Sequence, residues 1–155
     1  MDTQAIEIIG RNYLVSSLVT DGVEVARPER DRGIDLIAYL DLDQVGRFIA
    51  CPIQMKAASE ASFSLFPKYE RVPHLLLAYV WYVRDPSRTR AYALTYAEAK
   101  QVADDMGYTD TPSWRREGYS ITKPSRRLQT LLDPFVMHAD DWRRKVQEAG
   151  AVGDS

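Results

Sequence analysis

Hydrophobic positions near the start of the chain recur at the spacing of a helix. The apolar stripe consists of Ile6, Ile9, Tyr13, Leu14 and Leu18. Residues three and four apart lie on one face of a helix, so this pattern is typical of an amphipathic helix. Asp21-Gly22 follows the stripe, and glycine is the usual left-handed residue at a helix end. The sequence therefore predicts a helix over residues 3–20.

Apolar and alternating stretches further along the chain predict five strands. These stretches span residues 23–27, 34–40, 47–57, 75–83 and 90–94. The fourth is almost wholly apolar, which indicates a strand buried on both faces. Residues 41–46 have the composition of a hairpin turn, so the second and third strands are expected to run antiparallel side by side. Pro52 indicates an edge position or a bulge in the third strand.

The remaining pattern predicts helices around this sheet. Thr95 with Glu98 forms a capping box that opens a helix ending before Gly107. Further segments are a short strand at 119–122, a short helix at 125–132 and a terminal helix at 140–148, with irregular chain at 58–72 and 108–118. The predicted fold class is α/β, with a mixed central sheet of about five strands flanked by helices. We expect a single domain over 1–148 and a frayed tail over 149–155.

Composition limits the classes of protein and of metal site. The chain has 155 residues, 45% hydrophobic and 27% charged, which suits one globular domain. It lacks the roughly 18 consecutive apolar residues of a membrane helix and any visible signal peptide, so we expect a cytoplasmic protein away from membranes. One cysteine and two histidines argue against a thiolate or histidine metal site. A metal would be held by carboxylates and carbonyls, as magnesium, manganese and calcium are.

Asp35 is the first candidate for chemistry, because it begins a strand of otherwise apolar and aromatic residues. An ionised carboxylate there loses hydration and needs a cation, a hydrogen-bond donor or a metal. The alternative is a strand-end aspartate that faces water or pairs with Arg30 or Arg32.

Gln54 and Lys56 are candidates because side chains alternate across a strand. The opposite set, which includes Ile53 and Met55, is wholly apolar and is expected to face the core. Antiparallel pairing through the short hairpin brings Gln54 and Lys56 close to Asp35. An acid, an amide and an amine then converge, although ordinary polar residues on a half-exposed strand are the alternative.

Together, Gly33-Ile34-Asp35-Leu36 and Ile53-Gln54-Met55-Lys56 resemble the core motif of the PD-(D/E)XK nuclease superfamily. That motif has an aspartate on one strand and Glu-X-Lys on the next, and the match is closest to the Gln-X-Lys variant of Mrr-type proteins. The resemblance covers about residues 3–57. It implies a restriction-endonuclease-like core and a metal-dependent endonuclease that hydrolyses DNA phosphodiester bonds, in defence or repair. It also implies DNA as partner and a possible homodimer.

The resemblance assigns a role to each residue of the motif. Asp35 and Gln54 would hold Mg²⁺ or Mn²⁺, with the backbone carbonyl of Met55 as a further ligand, and Lys56 would orient water or stabilise transition-state charge. Gln54 offers only a neutral oxygen, so a weaker metal site is expected unless another carboxylate contributes. Many members supply a glutamate from the first helix, and Glu7 is the candidate here. The alternative is that Glu7 favours the helix dipole.

Contacts with nucleic acid must be local, because the net charge is −2. Arg126 and Arg127 follow a possible Ser125 cap, where backbone N–H groups also attract anions, and Lys68 follows the motif. A solvated surface is the alternative for each. The rival hypothesis for the whole chain is a catalytically inactive nuclease-like module for DNA binding or protein assembly. The missing second strand carboxylate favours this rival, and the pairing of Asp35 with Lys56 disfavours it.

Overall fold

A computed structural model describes residues 1–30, 32–42 and 47–154. The side chains of Leu42 and Asp154 are not described, and most of the predicted hairpin turn, residues 43–46, lies outside the described residues. The first helix, α1, spans Thr3–Thr20 as predicted. Asp2 caps it by accepting the Ala5 N–H at 2.8 Å. Gly22, with φ of 80°, provides the left-handed turn after its end.

Eight strands form two sheets within the described residues. They are β1 (Glu24–Ala26), β2 (Leu36–Leu42), β3 (Arg47–Ala57), β4 (Phe63–Leu65), β5 (Leu76–Trp81), β6 (Arg90–Thr95), β7 (Tyr119–Ile121) and β8 (Ala151–Asp154). The main sheet has the order β1-β2-β3-β5-β6, with β8 also paired to β3, while β4 and β7 form a separate two-stranded sheet. Only β3 and β5 run parallel among these pairs. The predicted α/β class with a mixed sheet is confirmed.

The second half of the chain contains the three predicted helices and one, at Pro112–Arg116, that was not predicted. They are α2 (Tyr96–Asp105), α3 (Pro112–Arg116), α4 (Arg126–Leu132) and α5 (Asp141–Ala149). Short 3₁₀ helices span Pro67–Arg71, Tyr108–Asp110 and Asp133–Phe135. The capping box of α2 is confirmed, since the Thr95 N–H donates to Glu98 at 2.8 Å and the Glu98 N–H donates to Thr95 at 3.2 Å. No helix of the described residues has the length and apolarity to cross a membrane.

The main sheet buries an apolar core on each face. One core packs α1 and α5 against residues of β2, β3 and β5, with Leu14, Leu18 and Trp142 among its buried members. The other packs α2, α4 and β4 against β5 and β6, and includes Tyr79 and Trp81. Strand β5 contributes to both cores and all of its residues are buried, as its apolar sequence predicts.

Three segments differ from the sequence-based expectations. The predicted irregular stretch 58–72 contains β4 and a 3₁₀ helix, and 108–118 contains a 3₁₀ helix and α3. These elements are three to five residues long, so they leave no periodic pattern in the sequence. The predicted frayed tail is wrong for Ala151–Asp154, because these residues form β8 and pair with β3.

Strand β3 lies inside the sheet, so the edge position inferred from Pro52 is wrong. Strand β2 pairs along one side of β3. On the other side, β8 pairs with residues 47–50 and β5 pairs with residues 53–57. Pro52 lies between these two ladders, where a residue without an N–H removes no pairing on that side.

Candidate functional site

Asp35 is held against β3 by two hydrogen bonds. Because Leu36 pairs with Ile53 in antiparallel register, the next pair outward is Asp35 opposite Gln54. The Asp35 N–H donates to the Ile53 carbonyl at 2.9 Å, and its Oδ2 accepts the Met55 N–H at 2.7 Å. A charge-assisted bond of this kind fixes the carboxylate at the end of β3.

The alternative ion pair of Asp35 with Arg30 or Arg32 is not found among the described residues. The half-buried carboxylate instead accepts a hydrogen bond from the Met55 backbone N–H, which compensates its lost hydration.

Gln54 and Lys56 lie on the face of β3 opposite Ile53 and Met55, as the alternation predicts. Their parallel neighbours on β5 are Leu77 and Tyr79, which belong to the second core. Gln54 is only 9% exposed. Its Oε1 is buried and accepts no hydrogen bond from the part of the chain that the structure describes. Such an atom costs free energy unless a donor or a cation reaches it.

The residues predicted for catalysis and metal binding line a single cleft of about 380 Å³. Its walls are formed by Thr3, Glu7, Arg11, Asp35, Gln54, Met55, Lys56 and Ala57. The structure thus brings the acid, the amide and the amine together with Glu7 from α1. Their roles in chemistry remain predictions.

Close packing of α1 on β3 places Glu7 at this cleft. A Cβ built on Gly10 would lie 2.5 Å from the Ala57 Cβ, so only glycine allows the helix to approach so near. Glu7 lies one turn earlier on the same helix, outside its first turn, which contains no acidic residue. The helix dipole is therefore a weak explanation for Glu7, since its effect is confined to the first turn.

Arg11 is a cleft residue that the sequence reasoning did not assign. It lies four residues after Glu7, the spacing that puts two side chains on one helix face. No ion pair joins the two within the described residues. The four-residue spacing from Glu7 is the signal in the sequence that points to Arg11. The sequence alone does not show that this face of α1 meets the edge of the sheet.

Lys68 lines a second cavity that shares a wall with the cleft. This cavity, of about 390 Å³, is lined by Arg32, Gly33, Gln54, Lys56, Lys68, Tyr69 and Val72. Gln54 and Lys56 belong to both spaces. The structure thus places Lys68 beside the cleft, and its contact with nucleic acid remains a prediction.

Arg126 and Arg127 line neither of these two spaces. Ser125 caps α4 by accepting the Leu128 N–H at 3.2 Å, as predicted. The Arg127 Nη2 donates to the Asp105 carbonyl at 2.9 Å, which ties this arginine to the end of α2. The structure thus gives Arg127 a structural contact and places neither arginine at the cleft.

Cys51 does not supply a nucleophile. Its side chain is fully buried in the core below α1, and burial raises the pKa of its thiol to about 12, although Lys145 opposes the shift. A thiol with this pKa is almost wholly protonated at neutral pH.

The cleft residues suit a hard divalent cation more than a soft one. The acceptors are the Asp35 carboxylate, the Gln54 Oε1 without a partner and the Glu7 carboxylate. Oxygen ligands of this kind are those of Mg²⁺ and Mn²⁺. Among the described residues, however, no group of three or more His, Cys, Asp or Glu side chains is placed to hold a metal. The two carboxylates can therefore hold a divalent cation here only together with the Gln54 amide oxygen as a third ligand.

Comparisons of the chain with protein-family models, curated proteins and solved structures find no match.

Proposed function

We propose that this protein is a metal-dependent endonuclease of the PD-(D/E)XK type that hydrolyses DNA phosphodiester bonds. One observation carries the proposal: the buried Gln54 Oε1 has no hydrogen-bond partner among the described residues and lines the same cleft as Asp35 and Lys56. A buried acceptor beside a carboxylate favours a cation at that position. The motif order Asp35, Gln54, Lys56 supplies the resemblance that points to phosphodiester cleavage.

Asp35, Gln54 and Glu7 would hold the metal, with the Met55 carbonyl as a further ligand implied by the resemblance. When bound, Mg²⁺ or Mn²⁺ polarises the scissile phosphate and lowers the pKa of a bound water. The Met55 N–H keeps the Asp35 carboxylate oriented. Lys56 would bind a phosphate oxygen and stabilise the negative charge that grows in the transition state. Arg11, on α1, lines the same cleft and would supply a second cation.

The experiment is plasmid nicking with Mg²⁺ or Mn²⁺, extended to linear duplex, branched and single-stranded DNA. Asp35→Asn is the sharpest variant, because its amide oxygen still accepts the Met55 N–H while the charge is lost. Lys56→Gln removes the ammonium. Lys100→Gln is the matched control, since Lys100 forms an exposed pair with Asp104 on α2.

We expect both site variants to lose about 100-fold or more of the cutting rate, the usual cost of removing a group that stabilises transition-state charge. The control should cut like the wild type. Absence of metal-dependent cutting by the wild type on all these substrates would overturn the proposal. Unchanged cutting by Asp35→Asn would overturn the assigned site.

The second candidate is a catalytically inactive nuclease-like module that binds DNA or assembles with protein. It is favoured by the lack of a three-ligand acidic or histidine cluster in the described part of the chain and by the net charge of −2. This candidate predicts DNA binding or oligomerisation without cutting, unchanged by Asp35→Asn. Sedimentation with and without duplex also tests the proposed homodimer.

A further inference from the structure

The second cavity concentrates positive charge beside the candidate site. Three cationic side chains line it, namely Arg32, Lys56 and Lys68. No acidic side chain lines it within the described residues. Neither lysine forms an ion pair with a described residue. The described charged residues that line this cavity are therefore all positive, and like charges at close range favour an anionic ligand between them.

An aromatic ring positions the two lysines. The ammonium groups of Lys56 and Lys68 lie 5.5 and 5.6 Å from the centroid of the Phe66 ring, within the range of cation–π attraction. Phe66 in turn packs edge-on against Tyr69, with centroids 5.7 Å apart. A Cβ on Gly118 would lie 2.4 Å from the Phe66 ring, so the backbone also confines the ring from that side. The confined Phe66 ring thus sets the positions of the two ammonium groups.

The segment that leads to Phe66 is anchored to the main sheet by buried hydrogen bonds. The Tyr79 hydroxyl donates to the Ser64 carbonyl at 2.6 Å, and the Trp81 indole donates to the Ser62 carbonyl at 2.7 Å. Tyr79 and Trp81 are each 1% exposed. Because these bonds hold the chain just before Phe66, they limit the movement of the ring that both ammonium groups contact, which lowers the entropic cost of ordering the two lysines around a ligand.

We propose that this second cavity binds a phosphate group of the same nucleic-acid strand whose scissile phosphodiester lies in the cleft of Asp35 and Gln54. Arg32 and Lys68 are its contacts, and Lys56 lies between the two phosphates because it lines both spaces. This inference rests on the DNA-binding part of the proposed function. It specifies a polynucleotide strand as the ligand, since two adjoining spaces with one shared wall suit successive phosphates of a chain.

The test measures binding without divalent metal, so that cutting does not enter. Anisotropy of a labelled single-stranded oligonucleotide is titrated in EDTA at several salt concentrations, with a duplex as a second probe. The variants are Arg32→Gln, Lys68→Gln and the double variant, and both residues are exposed, so folding should persist. Lys100→Gln is the control with the same loss of charge on α2.

We expect the slope of log K against log salt to fall by about 0.7 per cation removed on a single strand, and about 0.9 on a duplex. Affinity should fall several-fold in each single variant and further in the double variant, with the control unchanged. Thymidine monophosphate and inorganic phosphate at matched ionic strength test the alternative source of phosphate. They should compete only weakly.

Different failures separate this inference from the proposed function. A wild type that cuts DNA while the double variant keeps the wild-type slope would overturn the inference alone. A wild type that binds with a slope reduced in the variants but never cuts would support the inference and overturn the hydrolase. Binding of the mononucleotide as tightly as the strand would overturn the strand as ligand. No binding of any DNA in EDTA would overturn the inference, and the nicking experiment with metal decides the proposed function separately.

Discussion

Replacing Gln54 with glutamate tests whether the amide oxygen and the Asp35 carboxylate share one cation position. Asp35 immediately precedes β2, and extending the β2–β3 register by one residue beyond Leu36–Ile53 places it opposite Gln54. Directly opposed side chains have Cβ atoms about 4.5–5.5 Å apart. Two unit charges about 5 Å apart repel by about 3 kcal/mol at an effective dielectric constant of about 20. Gln54→Glu should therefore be less stable than the wild type by up to about 3 kcal/mol when no divalent metal is present.

The same substitution should increase stabilisation by metal. In a chain of this length, about 1 kcal/mol shifts Tm by about 2–4 °C, so the loss corresponds to about 6–12 °C in EDTA. A ligand present at about 100 times its Kd raises the free energy of unfolding by about 2.7 kcal/mol. Because a second carboxylate binds Mg²⁺ or Mn²⁺ more tightly than an amide, the variant should gain more Tm than the wild type when metal is added.

Thermal unfolding followed by circular dichroism, in EDTA and then with Mg²⁺ or Mn²⁺, measures both effects. Gln147→Glu is the control, since it adds the same charge at an exposed position of α5. A variant that unfolds at the wild-type temperature in EDTA would refute the proximity of the two carboxylates. A metal-dependent gain no larger than that of the wild type would refute the shared cation position.

Three further predictions concern the structure around the site. Because burial raises the pKa of the Cys51 thiol to about 12, a thiol reagent at pH 8 should label the native protein at least about 100-fold more slowly than the unfolded chain. Gly10→Ala should destabilise the protein to urea by about 1–3 kcal/mol, because the new Cβ would meet Ala57 at 2.5 Å. Glu98→Gln should cost about 1 kcal/mol at pH 7. Burial alone would raise the pKa of Glu98, but hydrogen bonds from Lys145 and from a backbone N–H hold that pKa below its usual range, so the difference should disappear as pH falls below about 4.

Each of these has a result that would contradict it. Rapid labelling of native Cys51 would mean that the thiol is accessible. Alanine normally stabilises a helix by about 1 kcal/mol relative to glycine, so stabilisation by Gly10→Ala would show that α1 does not need this close approach. Glu148→Gln, at an exposed site with a 3.9 Å ion pair, is the control for Glu98→Gln, and an equal loss in both variants would remove the special role of Glu98.

The sequence predicts the elements that carry the site because their signals are local. The stripe of α1 and the alternation of β3 give the observed bounds of both elements. A short connection forces β2 and β3 to pair antiparallel, and that pairing is enough to bring Asp35 opposite Gln54. Strand periodicity also separates Lys56 from the core face.

Long-range pairing is what the sequence does not reveal. Strand β4 is held by β7 and by donors from Tyr79 and Trp81, all distant in the chain, and its three residues show no pattern of their own. The second cavity therefore escapes sequence analysis, because Phe66 reaches Lys56 only after this pairing. Arg11 escapes for a related reason, since its place depends on the contact of Gly10 with β3.

The interior position of β3 also links the site to the slowest motions of the fold. Backbone amides in a strand that is paired on both sides and covered by cores on both faces exchange with deuterium only when the protein opens globally. The amide of Ile53 should accordingly rank among the last to exchange, because Ile53 pairs with Leu36 on one side and with Leu76 on the other. Gln54 and Lys56 follow where the pairing with β2 ends and β5 remains the partner strand. Any substitution that loosens either core should then also loosen the strand that positions Gln54 and Lys56, and faster exchange at Ile53 would reveal it.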